Sequence, residues 1–337
     1  MQKIILIIFI SLCSFSYSYA QMGEEIYTFM NMTTSARQSA LGGNANSSWD
    51  NDPNMAMFNP AMMNEKMHNQ IGLNYVSYLA NVKSGSLSFV HNPDESNHFF
   101  SLHGRYIDYG DFTAADESGT VTGSFTAADA AVTLGYAYRI SEFFTVGGNL
   151  SYITSKIESY SSSALLADIG VVFHDIDYYT TVSAVVRNFG KQLTYYNDRR
   201  EKLPVQANLG ISQKFERVPV ELTLTLHDLQ KFDISSPTNK NGEKIRLGRK
   251  LIDHVSMGAE IFPESGFNLR VGYNFKRGNE LSIVDQRSFA GLTLGFGLKI
   301  YYFRLDYAWG RYNAAGNTHT FGLRIDLENL FAPRYDW

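Results

Sequence analysis

Apolar and polar side chains alternate one by one along the second half of this chain, and this pattern restricts the fold more than any other feature. From residue 267 to 275 the odd positions are Phe, Leu, Val, Tyr and Phe, and the even positions are Asn, Arg, Gly and Asn. Residues 132–139, 220–227, 302–309 and 320–327 repeat the pattern. A two-residue period is typical of a β-strand whose faces meet different environments. Charges at every second position favour a wet interior over a packed core.

Fourteen runs of this kind predict an all-β protein. Most have the roughly 9 to 11 residues that a tilted strand needs to cross a bilayer. The predicted strands are 71–79, 83–91, 98–107, 129–139, 143–153, 165–174, 178–187, 203–215, 219–230, 251–262, 266–275, 288–298, 301–310 and 317–326.

The predicted connections alternate between long and short from the third strand onward. Residues 108–128, 154–164 and 188–202 are long, whereas 140–142 and 175–177 are short. Bacterial barrels have long extracellular loops and short periplasmic turns, and an even strand count places both termini in the periplasm. We therefore expect a transmembrane antiparallel β-barrel of about 14 strands. The alternative, a soluble sandwich of two sheets, explains neither the loop alternation nor the start of the chain.

The first twenty residues have the form of a secretory signal peptide. Lys3 precedes an apolar run at residues 4–10, and Ser18-Tyr19-Ala20 fits a small-x-small cleavage site. Cys13 is the single cysteine and lies inside this segment, so the predicted mature chain has no thiol for a disulfide, a metal or a nucleophile. After residue 21 we find no run of roughly 18 apolar residues for a spanning helix. The expected location is the outer membrane of a Gram-negative-type cell.

Charge and motifs disfavour several classes of function. Without Lys3 the chain has 28 Lys and Arg against 33 Asp and Glu, a net charge of −5, and it has no basic block that would indicate nucleic-acid binding. The motifs G-x-S-x-G, S-x-x-K, H-E-x-x-H, the Walker loop and G-x-G-x-x-G are missing. The sequence therefore predicts a non-enzymatic protein with no cofactor.

Residues 21–70 precede the first predicted strand and are expected to form a folded plug, or hatch, although a flexible leader is the alternative. Gly42 and Gly43 allow positive φ, and Pro53 and Pro60 interrupt regular structure. We single out Gly42, Gly43, Asn59, Pro60 and Ala61 as the hatch motif. The simpler interpretation of Asn59-Pro60-Ala61 is a turn that leads into the first strand.

This segment also carries a resemblance to a known family. Its Ser39-Ala40-Leu41-Gly42-Gly43 stretch, the acidic turn at 49–53 and Asn59-Pro60-Ala61 resemble the long-chain fatty-acid transporter (FadL) superfamily of fourteen-stranded barrels, in which the N-terminus fills the lumen as a hatch. Together with residues 68–78, the sequence of this segment is most similar to the PorQ and PorV group of the type IX secretion system. The resemblance implies an attachment complex of PorU, PorV, PorQ and PorZ, in which a PorQ-like barrel anchors a PorZ-like surface protein.

Charged residues on the predicted inner face form a second candidate site. We expect Arg270, Arg304, Asp306, Arg324 and Asp326 to face the lumen, together with Glu221, Glu260 and Lys299. They could line a permeation path or act as acids and bases, but a network of ion pairs that stiffens the wall and holds the plug is the favoured interpretation. Reversing the charges of Arg304 and Arg324 should then loosen the hatch.

Three further segments carry weaker signals. The basic residues of loop 231–250 are candidates for contact with an acidic partner or with lipopolysaccharide phosphate, and an ordinary solvated loop is the alternative. His91, His98 and His103 are closest in sequence but fit hydrogen bonding better than a metal site. Pro333 indicates that residues 328–337 form a periplasmic tail. The basic loop residues are Lys231, Lys240, Lys244, Arg246, Arg249 and Lys250.

Two functions from different classes follow. The leading hypothesis is a non-enzymatic scaffold of the type IX secretion system that presents its loops to a surface protein. The alternative is a FadL-like transporter of hydrophobic small molecules, and an outer-membrane hydrolase is the third.

Overall fold

The computed structural model describes residues 25–197, 200–236, 244–280, 290–313 and 316–331. The predicted signal peptide, Lys240 of the basic loop and residues 332–337 of the predicted tail lie outside this range.

Fourteen antiparallel strands close into a barrel, as the alternation predicts. Each strand pairs with its neighbours in sequence, and β1 also pairs with β14 from Gln70 opposite Asp326 to Ser77 opposite His319. Closure satisfies the backbone hydrogen bonds of both outermost strands, which a sheet in lipid requires. The strands are β1 Gln70–Ser77, β2 Lys83–His91, β3 His98–Ala115, β4 Val121–Arg139, β5 Phe144–Ile157, β6 Tyr160–Asp175, β7 Thr180–Thr194, β8 Gln206–Lys214, β9 Val220–Leu226, β10 Val255–Ile261, β11 Phe267–Asn274, β12 Leu292–Ile300, β13 Phe303–Asn313 and β14 Gly316–Asp326.

The two-residue period of the sequence becomes two faces of the wall. On β11, Asn268, Arg270 and Gly272 are buried, while the side chains between them are exposed. Outward apolar side chains such as Leu134 and Ile169 remain 61% and 59% exposed. An apolar surface that encircles the barrel belongs in hydrocarbon, because water would make it costly.

The barrel has two unequal ends. At the turn end, short connections such as 140–143, 176–179 and 262–266 join the strands. At the other end, which we call the loop end, lie the long connections 227–254 and 275–291. Strands β3 to β7 have 14 to 19 residues, whereas β8 to β11 have 7 to 9, so one side of the wall rises higher at the loop end.

Several predicted connections are strand instead. Most of 108–128 and 154–164 belongs to β3, β4, β5 and β6, which leaves connections of only 116–120 and 158–159. These residues are rich in Thr, Ser, Ala and Gly, so their pairing leaves no apolar alternation in the sequence. The predicted strand 251–262 starts too early, because residues up to Asp253 are helical.

Short helices occupy the lumen and the connections. The α-helices are α1 Ala36–Ala40, α2 Asn54–Phe58, α3 Leu247–Asp253, α4 Phe275–Glu280 and α5 Leu327–Phe331, and 3-10 turns cover Thr28–Asn31, Pro60–Met62, Glu65–Met67, Leu79–Asn81 and Pro93–Glu95. Within the described residues, no helix has the length and apolar character to cross a membrane.

Candidate functional site

Residues 25–69, which we call the inner segment, run inside the barrel from one end to the other. At the loop end, the amide of Ile26 donates to the carbonyl of Lys202 over 3.0 Å. At the turn end, the amide of Asn69 donates to the carbonyl of Val90 over 2.9 Å, just before β1 begins. Between these points most side chains are buried. The segment is therefore a folded filling of the lumen.

Arg37 is the centre of the contact between the inner segment and the wall. It lies in α1, whose N-cap Ser35 accepts a hydrogen bond from the amide of Gln38. The Arg37 side chain is 3% exposed and pairs with Asp50 and Glu260, both at 2.6 Å. Glu221 lies 3.6 Å away. One cation of the inner segment thus joins its own acidic turn to strands β9 and β10.

The wall continues this network through the predicted lumen charges. Arg270 contacts Glu260 at 3.1 Å and Asp306 at 2.6 Å, and Arg324 contacts Asp306 at 3.2 Å. Arg304 lies at the margin, 3.5 Å from Asp306. We call the set the charged lattice, and it comprises Arg37, Asp50, Glu221, Glu260, Arg270, Arg304, Asp306 and Arg324.

Not every predicted lumen charge joins the charged lattice. Asp326 accepts a hydrogen bond from the side chain of Asn329 at the turn end, and Lys299 is exposed there. Arg324 reaches the inner segment directly, because its Nη1 donates to Asn51 over 2.9 Å. The role of these residues in holding a plug remains a proposal.

The electrostatics of the inner segment follow from this pairing. Burial opposes ionisation of Asp50, but Arg37 and Arg324 outweigh it and hold the pKa of Asp50 below its usual 3.8. Burial also opposes charge on Arg37, yet Asp50, Glu260 and Glu221 raise its pKa well above the usual range. Both groups are therefore charged at neutral pH.

Gly42 and Gly43 form the turn that seats α1 against the wall. Their φ angles are +90° and +87°, which residues with a side chain rarely adopt. A Cβ on Gly42 would lie 3.1 Å from the carbonyl oxygen of Met257. On the wall side, a Cβ on Gly272 would collide with the backbone of Leu41 and Gly42. Backbone therefore packs directly on backbone at this point.

Asn59, Pro60 and Ala61 make the corresponding contact on another part of the wall. The Asn59 side chain accepts from the amide of Ala61 and caps a short 3-10 turn. A Cβ on Gly147 of β5 would lie 2.7 Å from the Pro60 carbonyl carbon, and one on Gly170 of β6 would overlap the Asn59 side chain. Asn59-Pro60-Ala61 thus packs against β5 and β6, and β1 begins only at Gln70.

Sequence reasoning missed two buried arginines on the wall. Arg105 of β3 donates to the carbonyl of Phe29 over 2.7 Å, and Arg187 of β7 donates to that of Met30 over 3.0 Å. Both guanidinium groups also face the Phe58 ring, at 5.2 and 4.7 Å. The sequence could have indicated both residues, because each lies at an inward position of a predicted strand. Arg37 and Asp50 were missed too, because a residue outside the strands has no face assigned by alternation.

Two apolar clusters fill the lumen on either side of the polar contacts. One combines Tyr27, Phe29 and Met30 with wall residues such as Ile153 and Leu166. The other is rich in methionine, with Met55, Met62, Met63 and Met67 beside Phe99 and Val172. A polar cavity near Arg187 and Asn208 measures only about 10 Å³, room for roughly one water molecule.

The described part of the basic loop lies at the loop end, and much of its charge is paired. Lys250 contacts Asp233, and Lys231 contacts Glu25 of the inner segment. Arg249 lies 3.5 Å from Asp253 along α3. Lys244 and Arg246 are exposed. The proposed contact with an acidic partner would use these two residues.

The three histidines do not converge. His91 hydrogen-bonds to Asn69, His98 to Tyr136, and His103 to Ser101, at 2.8 to 2.9 Å.

Comparison with solved structures supports the fold. No family model matches the chain, and no curated protein matches it. The solved toluene transporter TodX of Pseudomonas putida aligns with a TM-score of 0.53 at 15% identity, over 87% of this chain and 96% of TodX. A TodX monoaromatic hydrocarbon channel mutant aligns at 0.53 and 13% identity, over 86% and 97%. A FadL homologue of Pseudomonas aeruginosa aligns at 0.49 and 12% identity, over 87% and 98%.

The closed fourteen-stranded wall and the two TodX alignments define a closed antiparallel β-barrel whose fold is similar to that of TodX. These two solved structures are those of a toluene transporter and of a monoaromatic hydrocarbon channel.

Proposed function

We propose that this barrel is a closed, non-enzymatic scaffold of the outer membrane that anchors a surface protein, as a PorQ-like component of the type IX secretion system. The observation that carries the proposal is the filled lumen. Arg37 ties the inner segment to β9 and β10, and wall glycines seat it against β5, β6 and β11. A fixed plug leaves the loop end as the working surface. The type IX assignment itself rests on the sequence resemblance.

Transport of hydrophobic small molecules is the second candidate, and the comparisons favour it. TodX is a toluene transporter, and its fold is similar, whereas no comparison supports the secretion role. At 15% identity the similarity concerns the fold alone. Passage through the lumen would require the inner segment to move, which would break the buried pairs of Arg37.

A disulfide lock separates the two functions. The Cβ of Ala36 lies 3.3 Å from the position of a Cβ on Gly322, close to the roughly 3.5 to 4.5 Å of disulfides. The double variant Ala36→Cys/Gly322→Cys should therefore join the inner segment to β14. The predicted mature chain has no other cysteine, so this pair forms alone.

The lock is compared in oxidised and reduced cells, with Ala36→Cys alone as the control. A scaffold should retain its co-purifying surface protein in both states and show no uptake of toluene or oleate in either. Uptake that is present in the reduced state and lost on oxidation would instead support transport and contradict the scaffold.

A further inference from the structure

Strands β3 and β4 continue beyond the wall of the barrel at the loop end. The neighbouring strand β2 reaches its loop end at Lys83, opposite Asp108, and β5 stops at Ile157, opposite Ala127. Beyond these points β3 and β4 pair with each other from Asp111 opposite Thr126 to Ala115 opposite Val121, and at the base the amide of Glu158 still donates to the carbonyl of Thr126. We call residues 109–126 the ribbon.

The ribbon has a defined backbone geometry at its base and at its tip. Its base is a β-bulge at which Gly110 adopts a φ of +78°, so the ribbon can bend from the wall. At the tip, Asp116 Oδ1 accepts hydrogen bonds from the amides of Ser118 and Thr120, both at 2.9 Å. Between them the rings of Phe112 and Phe125 stack at 5.2 Å. The ribbon therefore presents a defined pair of strands.

Both edges of the ribbon are uncovered. From Asp111 to Ser124 all residues except Ala114 are exposed, and Val121 is 66% exposed. A two-stranded sheet alone in water is marginally stable. Native proteins usually guard free strand edges with lysine, proline or a covering element, and the ribbon contains neither lysine nor proline. Such an edge can accept a further strand.

The charge of the ribbon indicates which kind of partner strand it would bind. Asp111, Asp116 and Glu117 are its acidic residues, and no Lys or Arg occurs from residue 106 to 138. The ribbon therefore carries three negative charges and no positive ones, which favours a basic partner.

We propose that the ribbon is the docking site for a surface protein, which adds an extended basic strand to one of its free edges. The identity of the partner as a surface protein rests on the proposed function. Backbone hydrogen bonds supply the binding, and the acidic side chains supply the selection.

Photo-cross-linking in cells tests the docking. A photoreactive residue replaces Thr113 on β3 or Val121 on β4, and Tyr178 at the turn end is the control position. We expect an adduct with an extended basic segment of the surface protein at one ribbon position and none at Tyr178. The charge variant Asp111→Lys/Glu117→Lys, which spares the turn-forming Asp116, should lower adduct and co-purification at least tenfold. The matched variant Glu142→Lys/Asp177→Lys at the turn end should not.

Hydrogen exchange of the purified full chain tests the edge without the partner. The probe is a ten-residue peptide of alternating Lys and Val, and a Glu-Val peptide is its control. The Lys-Val peptide should slow exchange at alternate amides of the ribbon, and the Glu-Val peptide should not.

The outcomes distinguish the two proposals. Intact co-purification from the ribbon charge variant would overturn the docking site and leave the scaffold standing. Ribbon protection by the Lys-Val peptide, without any co-purifying surface protein from wild type, would support the docking edge and overturn the scaffold. If the Lys-Val peptide gives no more protection of the ribbon than the Glu-Val peptide, the ribbon proposal is overturned.

Discussion

At the scale of single residues, Arg37 has the greatest influence on the interior of the barrel. It lies almost without solvent contact between Asp50 and Glu260, and Glu260 is itself 2% exposed. A buried ion pair is no large source of stability, because desolvation offsets the attraction. Removal of one partner is costly, however, since the other charge is left buried. Arg37 therefore fixes where the inner segment can lie.

Replacement of Arg37 by methionine should destabilise the inner segment. We expect a loss of about 3 to 5 kcal/mol, because Asp50 and the buried Glu260 would each lose a cationic partner at 2.6 Å. The measurement is limited proteolysis of the detergent-solubilised barrel, with cleavage appearing between residues 25 and 69. Lys299→Met serves as the control, since Lys299 is exposed at the turn end. Equal protease resistance of both variants would contradict the role of Arg37.

The charge-reversed variant Arg304→Glu/Arg324→Glu should also loosen the inner segment. The contacts of the two arginines indicate that their contributions to this effect differ. Arg324 donates to Asn51, whereas Arg304 contacts only wall carboxylates within the described lattice. Arg324→Glu alone should therefore give most of the added cleavage. Protease patterns of the two single variants decide this, and a larger effect from Arg304→Glu would refute it.

Acid should release the inner segment through Asp50. Its pKa in the folded protein is lowered below 3.8, so ionised Asp50 stabilises the fold above that value, and the stabilisation is lost as the pH falls through the lowered pKa. Trp49 stacks on His174 at 4.5 Å and can report the change by fluorescence in a Trp309→Phe/Trp337→Phe background. In Arg37→Met the transition should move to higher pH. An unmoved transition would exclude this pair as its cause.

At the scale of elements, small residues of the wall determine how closely the inner segment approaches. Gly147 and Gly272 each leave space that backbone of the inner segment occupies. Gly295 likewise leaves space for a side chain of α1, because the Cβ of Ala40 lies 2.6 Å from the position of a Cβ on Gly295. Glycines in the wall therefore shape the lumen to this segment, as the charged residues do.

Single alanine substitutions test this fit. Gly147→Ala and Gly272→Ala should each lower the free energy of unfolding by about 1 to 3 kcal/mol through overpacking. Gly104→Ala is the matched control, because a Cβ there meets nothing within 4 Å. Thermal unfolding in detergent, followed by the heat-dependent shift on gels, provides the measurement. A loss in Gly104→Ala as large as in the other two would refute the packing argument.

At the scale of the whole molecule, the unequal ends determine what can reach each side of the membrane. The ribbon and the long connections share the loop end, and tight turns form the other. In bacterial barrels the longer loops face outward. The working surface should therefore lie outside the cell.

Cysteine labelling tests this orientation. Glu117→Cys at the tip of the ribbon should react with a membrane-impermeant maleimide in intact cells. Tyr178→Cys at the turn end should react only after the outer membrane is permeabilised. Tyr178 is 74% exposed, so its protection would come from the membrane and not from the fold. The reverse pattern would invert the proposed orientation.

Sequence alone determined the number of strands and the part of each that forms the wall, because a wall between lipid and a polar lumen enforces a two-residue period. Arg270, Asp306 and Arg324 could be assigned to the inner face for the same reason, and the structure places them in one lattice. Only the tertiary structure decided that Arg37 and Asp50 complete this lattice, since their contacts span more than 220 residues of chain and follow no period. It also decided that residues 109–126 are strand. Their two faces meet the same solvent, so pairing there requires no alternation that a sequence could display.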